Sequence, residues 1–455
     1  MSNKKKVAVI GAGISGLSAA YELQKNNFDV TVFEKEATVG GRMFTRTKEK
    51  LAFDIGANFF VQCYTQTHEY CKDLGIEAEW EKLPPWKNYI FRDGKLHTLA
   101  FNSLWSVLTY SALSWPSRLR LLFFFESVKQ KIKGLRFFDL STAPDELNQV
   151  NAYDYVQRIA GKEVADYLID GFTATYQFHG AKEISLAMML SLLNLMIHDP
   201  QDFNLCHTRT QMRALPGALA QQLKVKLNSS VSKINATPDG IHLVSGQDSY
   251  QFDIIVFACT ATIIKMIYAN PTPSQKNLLD EIKYASTINV SFKIPKHLLK
   301  DTYCVTVPYV ENKTVCEYTN EALKGVIHEE YSLVNIGIHA TTATELLKLP
   351  DEVIFEQVKK ELLLVCPFFQ GDRTLLENYD LQRWPEAMPK FSPQSISAVK
   401  RFWEEGQSEQ NVYFCGDYMN APWVEGSIRC GQKVAVRIHK KMNKNLDVTN
   451  LAYHS

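Results

Sequence analysis

The sequence lacks the features that would assign it to a membrane-spanning or nucleic-acid-binding class. No run of about 18 or more apolar residues occurs, so no transmembrane helix is predicted. Neither sign of charge is in excess, because the sequence contains 50 basic and 49 acidic residues and the net charge is +1. This balance creates no field that would attract nucleic acid, so we expect a small-molecule substrate and no nucleic-acid partner.

Paired cysteines are missing as well. The nine cysteines are scattered along the chain, and none forms a Cys-x-x-Cys pair. This pattern indicates neither a disulfide framework nor a metal site, and it favours a reducing, cytoplasmic location. After Lys6 the chain enters the apolar run Val7–Ile10, which is too short for a signal peptide and is typical of a buried strand.

A glycine-rich motif follows this first strand. It has the sequence Gly-Ala-Gly-Ile-Ser-Gly over residues 11–16, and it precedes a helical pattern, a strand over 29–33 and the acid Glu34. This order is the dinucleotide-binding fingerprint of a Rossmann unit. The glycines permit a tight turn, close approach of a pyrophosphate and close packing of the helix on the strand. The start of the helix offers N–H groups to phosphates. Glu34 would accept hydrogen bonds from the ribose hydroxyls.

Three further motifs occur, two of them soon after Glu34 and one near the other end of the chain. Gly40-Gly41-Arg42 follows Glu34, and an Asp-x-Gly-Ala-Asn segment occupies residues 54–58. Near the other end, an apolar strand leads into Gly416-Asp417, and a Glu-Gly pair at 425–426 is followed by a helical pattern predicted to begin near Gly426. Such a helix would direct a positive dipole toward a ring that gains negative charge on reduction.

Together these motifs resemble those of the flavin amine oxidase superfamily, which includes amine oxidases, protoporphyrinogen oxidases and phytoene-desaturase-like enzymes. The resemblance implies an FAD-dependent oxidoreductase that removes a hydride from an organic substrate, with oxygen as the expected reoxidant and a quinone as the alternative. Carried over to this sequence, it implies that FAD is held by Gly11, Gly13, Ile14, Ser15, Gly16, Glu34, Lys35, Gly41, Arg42, Gly56, Ala57, Asn58, Val231, Gly416, Asp417, Glu425, Gly426 and Ile428.

The resemblance also implies an α/β fold with two domains, a number that the length of 455 residues favours as well. A Rossmann-type FAD-binding domain is expected from residues 1–58, 205–270 and 394–445. A mixed α+β substrate domain is expected from residues 59–204 and 271–393. Its first part is predicted to be mainly helical, with apolar helical stretches over 103–125 and 172–196. Its second part shows strand-like alternation over 288–294, 303–307 and 332–338.

The sequence departs from the classical amine oxidases at two places. Those enzymes carry a lysine on the first strand of the substrate sheet, where the best register here places Thr287. The Ser-Gly-Gly-Cys-Tyr segment by which monoamine oxidases attach FAD is absent, so we expect non-covalent FAD. The Trp-x-x-Ala-x-Pro run that begins at Trp384 is more similar to protoporphyrinogen oxidases and desaturases.

Catalysis in this superfamily needs little bond-making by the protein, so no catalytic acid or base is identified. The candidate pocket residues are Asn58 and the aromatic residues Phe59, Tyr176, Trp384 and Trp423, whose rings would hold an amine or a flat ring. Two alternatives remain open. One is a flavin-dependent polyene isomerase, and the other is a non-enzymatic, prenyl-protein-binding relative of the fold.

The stretch Trp115–Phe125 combines arginines with aromatic and leucine side chains. One interpretation is a helix that lies on a membrane surface. The other is an ordinary helix that buries its apolar face and carries its arginines at the rim. The pattern favours the ordinary helix, and we do not expect peripheral membrane contact.

Overall fold

The first strand of the chain lies at the centre of a parallel sheet. The structure, a computed structural model, describes residues 4–84, 86–98, 104–198 and 204–443. The sheet has the order β10-β2-β1-β14-β20, and all its neighbours are parallel. Its strands are β1 (Lys6–Ile10), β2 (Asp29–Phe33), β10 (Val225–Lys226), β14 (Ile254–Phe257) and β20 (Val412–Phe414).

Helices complete the core around this sheet. The central strands are buried almost completely, as expected for parallel strands that are covered on both faces. The helices that contribute apolar side chains to the same core include α1 (Ile14–Lys25), α10 (Ala214–Gln221), α11 (Ala261–Ile267), α12 (Pro273–Glu281), α15 (Pro393–Glu405) and α16 (Trp423–Met442).

A second, larger sheet has seven strands in the order β19-β15-β18-β17-β16-β7-β8. All its pairs are antiparallel except β16 with β7. One face packs against α14 (Asp351–Val365) through an apolar core. The strands are β7 (Lys87–Arg92), β8 (Lys95–Thr98), β15 (Tyr284–Pro295), β16 (Thr302–Thr306), β17 (Val315–Asn320), β18 (Tyr331–Ile338) and β19 (Glu377–Pro389).

The helical part of the chain lies between β8 and β9. Its helices are α3 (Leu104–Leu108), α4 (Trp115–Ile132), α5 (Asp145–Asn148), α6 (Ala152–Ala160), α7 (Lys162–Val164), α8 (Gly171–Gln177) and α9 (Leu186–His198). Each of the two long predicted helical stretches is interrupted. The first is divided because Pro116 starts a new helix, and the second because Phe178 adopts a left-handed conformation with φ of 65°. Residue 103 of the first stretch lies outside the described residues.

The remaining elements are short. Three small sheets are formed by β3 (Thr45–Lys48) with β4 (Leu51–Asp54), by β11 (Val231–Thr237), β12 (Gly240–Ser245) and β13 (Asp248–Phe252), and by β5 (Phe60–Val61), β9 (Leu205–Thr208) and β6 (Trp80–Lys82). Two further helices are α2 (Thr65–Asp73) and α13 (Ala340–Leu346). Within the described parts of the chain, no helix has both the length and the apolar content that crossing a membrane requires.

The predicted fold class is confirmed: a Rossmann-type parallel sheet accompanies an antiparallel-rich sheet and a helical part. Two details differ from the sequence-based expectation. The described part of the region 59–203 is mainly helical, as predicted, but it also contributes β7 and β8, which extend the large sheet from its edge. Strand β9, which was assigned to the FAD-binding part, pairs with β5 and β6 from the substrate part.

Helices α1 and α16 cross so closely that the backbone of one helix lies against the backbone of the other. A Cβ atom at Gly431 of α16 would lie 2.6 Å from the carbonyl oxygen of Ser15 and 2.7 Å from the amide nitrogen of Ala19. The Ser18 hydroxyl, also on α1, lies 3.0 Å from the carbonyl oxygen of Ile428, to which it donates a hydrogen bond. Only glycine permits this crossing, which brings the carboxyl-terminal helix against the glycine-rich loop.

We therefore expect Gly431→Ala to lower the free energy of unfolding by more than about 1 kcal/mol, because the added methyl group overpacks the crossing. Alanine is otherwise the better helix former by about 1 kcal/mol. Gly217→Ala in α10 is the matched control, because a Cβ atom there meets no described atom within 4 Å. Denaturant titration should show that the control is unchanged or stabilised. Equal midpoints for both variants would contradict the requirement for glycine at the crossing.

Candidate functional site

The glycine-rich loop between β1 and α1 has one open side. Gly11 has φ of +107°, and a Cβ atom there would lie 2.8 Å from the carbonyl oxygen of Ala258 on the neighbouring strand segment. A Cβ atom at Gly16 would lie 2.1 Å from the carbonyl oxygen of Gly11. At Gly13, by contrast, it would meet no described atom within 4 Å. The loop is therefore closed against the protein at Gly11 and Gly16 and open for a ligand at Gly13.

Helix α1 begins at this opening. Gly13 is its N-cap, no described side chain caps it, and its first turn contains no acid. The first hydrogen bond of the helix runs from the amide of Leu17 to the carbonyl oxygen of Gly13. The amides of the first turn and the positive end of the helix dipole are thus available to an anion such as a pyrophosphate.

Glu34 lies beside the loop at the end of β2. Its carboxylate accepts hydrogen bonds from the amides of Ala12 at 2.7 Å and Glu36 at 3.0 Å, and it is 8% exposed. Each carboxylate oxygen can accept a second bond, for example from a ribose hydroxyl. The amide of Ser229 donates to the carbonyl oxygen of Glu34 at 2.7 Å, and this bond brings the start of β11, at the half-buried Val231, to the same edge.

The second glycine pair packs directly on the first loop. The amide of Gly40 donates to the carbonyl oxygen of Ala12 at 2.9 Å. A Cβ atom at Gly41 would lie 3.3 Å from the Cα atom of Gly13, and Gly41 has φ of +57°. The close approach therefore requires glycine at this position, and the chain continues from here into Arg42.

Arg42 joins the two ends of the chain. Its guanidinium donates to Asp417 at 2.8 and 3.0 Å and to the carbonyl oxygen of Ala387 at 2.8 Å. Burial alone would lower the pKa of Arg42, but the charge of Asp417 and the hydrogen bonds to it raise the pKa above its usual value. The guanidinium of Arg42 therefore remains charged, and its bonds to Asp417 fix the Gly40–Arg42 turn to the segment after β20.

The segment at residues 54–58 adjoins this ion pair. A Cβ atom at Gly56 would lie 2.1 Å from the carbonyl oxygen of Arg42, and the amide of Ala57 donates to that oxygen at 2.8 Å. The indole N–H of Trp384 donates to the carbonyl oxygen of Ile55 at 2.6 Å. The structure thus brings together residues that are more than 300 positions apart in the sequence.

The carboxyl-terminal helix begins earlier than the sequence predicts. α16 starts at Trp423 rather than near Gly426, and its N-cap is Pro422. Ile428 is the sixth residue of the helix, where the N–H group of a regular helix bonds to the carbonyl four residues before. The amides available at the helix end are therefore those of the first turn, including Val424, and Ile428 lies too far inside the helix to offer its own.

Glu425 has a different role from the predicted contact with the cofactor. Its carboxylate accepts hydrogen bonds from the amides of Gln66 at 3.0 Å and Thr67 at 2.9 Å, at the start of α2, and from the guanidinium of Arg429 at 2.8 Å. It is completely buried. This carboxylate caps α2 and ties it to α16. Lys35 also points away from the site, since its side chain is 65% exposed and pairs with Glu36.

Three of the five pocket candidates form an aromatic group. The ring of Tyr176 lies 6.2 Å from that of Phe59 and 5.6 Å from that of Trp423, and Phe137 adjoins Trp423 at 5.1 Å. Trp423 has φ of +72°, a strained conformation for a bulky residue. Such strain is maintained by surrounding structure and concentrates at functional sites.

The large sheet turns a polar face toward this group. Ser291, Asn335, Thr319 and Cys304 are paired across four neighbouring strands. The next row contains Glu317, which lies opposite Gly337 and Thr306. Helix α8 covers this face, since the hydroxyl of Thr175 bonds to that of Thr306.

Several polar atoms on and around this face are buried without a hydrogen-bond partner in the described chain: Asn335 Nδ2, Gln177 Oε1 and the hydroxyl of Tyr303. Buried polar atoms are normally satisfied, so a group of such atoms indicates a place for a polar ligand or water. Glu317 belongs to the same region, and burial raises its pKa to about 7.

Sequence reasoning missed a buried ionic cluster beside Asn58. The ammonium group of Lys324 lies 3.3 Å from the carbonyl and side-chain oxygens of Asn58 and 2.5 Å from Glu321. The side chains of Lys324 and Glu321 are fully buried. Lys324 lies in a 3₁₀ turn after β17 and belongs to none of the motifs, so no signal in the sequence would have found it.

The arrangement as a whole fits a flavin dinucleotide. An open glycine loop at a helix start suits a pyrophosphate, and Glu34 suits a ribose. The turn formed by Gly56 and Ala57 lies next to the Arg42–Asp417 pair, at the place expected for a flavin ring. An aromatic group and a polar sheet face supply candidate contacts for a substrate.

Comparisons with known proteins agree with this geometry. The model of a protein family described as flavin containing amine oxidoreductase matches residues 14–439. Protoporphyrinogen oxidase 2, chloroplastic/mitochondrial, from Arabidopsis thaliana is 36% identical over 169 residues, which are 37% of this chain and 32% of that protein. The first relatives are thus matched over about a third of their own length.

Other relatives are matched over nearly the whole chain. Human amine oxidase [flavin-containing] B is 24% identical over 477 residues, covering 98% of this chain and 88% of that protein. Among solved structures, wild-type putrescine oxidase bound to putrescine superimposes with a TM-score of 0.76 at 16% identity, covering 96% of this chain and 99% of the other. At that identity the likeness shows the fold.

The buried Asp54 generates a prediction about pH. Burial raises its pKa to about 7, although the charge of Lys324 and a hydrogen bond from Thr45 act in the opposite direction. Between about pH 4 and 7 the folded protein holds a proton that the unfolded chain has lost, so the free energy of unfolding falls as the pH rises through this range. Asp54→Asn cannot ionise and should reduce this fall by on the order of a few kcal/mol.

Denaturant titrations at pH 5 and pH 8 would measure this difference. Asp253→Asn is the matched control, because hydrogen bonds from the Lys6 amide and the Lys5 ammonium hold the pKa of Asp253 below its usual value. The control should therefore change the free energy of unfolding equally at pH 5 and pH 8, and leave the difference between the two pH values unaltered. If Asp54→Asn retains the pH dependence of the natural protein, Asp54 is not the protonated group.

Proposed function

The chain belongs to the family of flavin-containing amine oxidoreductases, and from this premise we propose that it binds FAD non-covalently and removes a hydride from an organic substrate. The observation that carries the proposal is the convergence on Arg42. Its ion pair with Asp417 and its contacts with Gly56 and Ala57 unite three separate motifs next to the open loop at Gly13.

The residues that would hold FAD follow from their positions. The loop and the first turn of α1 would bind the pyrophosphate, Glu34 the ribose and the backbone near Val231 the adenine. Gly41, Arg42, Gly56–Asn58, Gly416 and Asp417 would line the flavin end. We assign the remaining helix-end contact to the amide of Val424 in place of Ile428. Non-covalent binding is supported by the absence of the Ser-Gly-Gly-Cys-Tyr attachment segment from the sequence.

We further propose the division into an FAD-binding domain, from residues 1–58, 205–270 and 394–445, and a substrate domain from the remainder. The large sheet and the helical part would belong to the substrate domain. A cytoplasmic location is part of the same proposal. It is supported by the nine cysteines, none of which forms a disulfide in the described residues.

The chemistry supplied by the bound flavin is hydride acceptance, and we propose oxygen as the acceptor that restores the oxidised state. The residues of the chain contribute position and environment. Phe59, Tyr176 and Trp423 would orient the substrate and exclude water. The first-turn amides of α16 would stabilise the negative charge that develops on reduction.

An amine is the favoured substrate class. Glu317 lies opposite Thr306, whose hydroxyl bonds to that of Thr175, the residue that precedes Tyr176. A carboxyl group in this position attracts a substrate with an amino group and repels one that carries several carboxylates, such as a porphyrinogen. The proposed reaction is therefore the dehydrogenation of a C–N bond, with dehydrogenation of C–H or N–H bonds in a conjugated ring as the alternative within the same family.

Anaerobic mixing tests this function directly. The purified yellow protein would be mixed with panels of amines, amino acids and reduced tetrapyrroles while the flavin absorbance is followed. Bleaching by an amine, reversed by air with formation of hydrogen peroxide, is the expected result. Bleaching only by a reduced tetrapyrrole would show that the substrate is a conjugated ring and not an amine. A protein that carries no flavin would refute the proposal as a whole.

The cofactor assignment has its own test in Gly13→Val. The new side chain would fill the open side of the loop and clash with a pyrophosphate, while meeting no described atom of the protein close to its Cβ. We expect a folded but colourless protein whose affinity for FAD has fallen at least about a hundredfold. Its unfolding should match that of the deflavinated natural protein. A yellow, active variant would show that the loop is not part of the FAD-binding site.

A further inference from the structure

Helix α4 is apolar on two opposite faces. Its inner face packs into the helical core through Leu121, Phe124 and Val128, each of which is completely buried. Its outer face carries Trp115, Leu119 and Phe123 at intervals of four residues, so their side chains lie along one side of the helix. The helix therefore buries one apolar face, as the sequence-based expectation has it, but it also carries a second, exposed apolar face that was not expected.

The outer face is unusually exposed for such side chains. Trp115 is 60% exposed, Leu119 is 49% exposed and Phe123 is 72% exposed. Trp105 on α3 is 72% exposed. The end of α3 is held to α4, because the guanidinium of Arg118 donates to the carbonyl oxygen of Leu108 at 3.0 Å.

These side chains form one surface, which we call the α4 surface. The exposed tryptophan and phenylalanine side chains of the described chain are Trp105, Trp115 and Phe123, and all belong to it. The other exposed large apolar residues are aliphatic, and those outside the helical part are scattered over distant elements, such as Met266 on α11 and Leu364 on α14. Clustered exposed aromatic residues mark a binding surface, whereas single exposed residues are ordinary.

Basic residues are in excess along the helix of the α4 surface, although Glu126 pairs with Lys129 at 3.7 Å. Residues 115–133 contain five basic residues and only one acid, Glu126, although the whole chain is nearly neutral. Arg120, Lys129, Lys131 and Lys133 are all exposed, and Arg158 is exposed on the neighbouring α6. The guanidinium of Arg118 lies over the ring of Trp115 at 5.5 Å.

We propose that the α4 surface docks on an anionic lipid bilayer, with α4 lying in the plane of the interface. Tryptophan prefers the headgroup level, leucine and phenylalanine enter the acyl boundary, and lysine and arginine pair with anionic headgroups. The helix has 18 residues and lies flat on the protein, so it attaches the protein to the surface of the membrane without crossing it.

Charge distinguishes this partner from a second copy of the chain. A symmetric contact between two α4 surfaces would place the basic residues of one copy against those of the other, and this costs energy. An anionic bilayer satisfies the apolar residues and the basic residues at the same time. The proposal does not depend on the redox function, because lipid binding is measured without turnover.

Vesicle flotation tests the proposal. The full-length protein would be mixed with vesicles of phosphatidylcholine containing phosphatidylserine, and with vesicles of phosphatidylcholine alone. We expect binding to the anionic vesicles that weakens as salt is added. Trp115→Gln combined with Leu119→Gln and Phe123→Gln should weaken binding by at least about tenfold. The matched control, Met266→Gln with Leu364→Gln, removes two equally exposed apolar residues elsewhere and should bind as the natural protein does.

A spectroscopic readout identifies the residues that enter the lipid. Brominated phosphatidylcholine in the anionic vesicles should quench tryptophan fluorescence, and Trp115→Gln should lose part of this quenching. The flavin spectrum and denaturation midpoint of each variant confirm that it is folded. Failure of the natural protein to float with anionic vesicles would overturn the proposal. So would equal binding by the triple variant, or a dimer in sedimentation that the triple variant loses while vesicle binding is unchanged.

Discussion

The crossing of α1 and α16 is the constraint on which the site depends. Residues 15–19 and residues 428–431 touch through backbone atoms, because Gly431 has no side chain to separate them. This contact sets the distance between the glycine-rich loop, which lies before α1, and the Gly416–Asp417 segment, which lies before α16. A dinucleotide spans a fixed length, so both ends of the chain must be held at one separation to bind it. Packing in this core transmits small displacements instead of absorbing them.

The Arg42–Asp417 ion pair is the second contact that holds the two ends of the chain in a fixed position. Removing two charges from water costs several kcal/mol, and the attraction between them does not always repay that cost. Here the geometry is favourable, because Asp417 accepts from the guanidinium at two positions and Ala387 satisfies a further donor. The pair therefore contributes specificity of position more than stability. It links the turn after β2, the edge strand β19 and the segment after β20, which no continuous secondary structure connects.

Local motifs could be predicted from the sequence, whereas contacts made across the fold could not. The loop at Gly11–Gly16, the strand ending at Glu34 and the neighbourhood of Arg42 follow from short-range spacing, which a single sequence displays. Glu425 was assigned to the cofactor because its motif suggested so, yet its carboxylate caps α2, whose position depends on the tertiary structure. Lys324 and Glu317 have no local signature, because their burial results from strand pairing between distant segments. Helix α4 shows the same limit, since periodicity identifies apolar positions without indicating which face the core covers.

The helical part connects the proposed pocket with the α4 surface through a single core. Val128 and Ile132 of α4 lie in the same apolar cluster as Phe137, and the ring of Phe137 packs against Trp423 at the start of α16. Trp423 keeps its left-handed backbone only because such neighbours hold its ring on two sides, at Phe137 and at Tyr176. Helix α4 and the proposed pocket wall are therefore joined by packed side chains and not by a flexible linker. In an interior of this density, a change in the packing of one is felt by the neighbouring side chains.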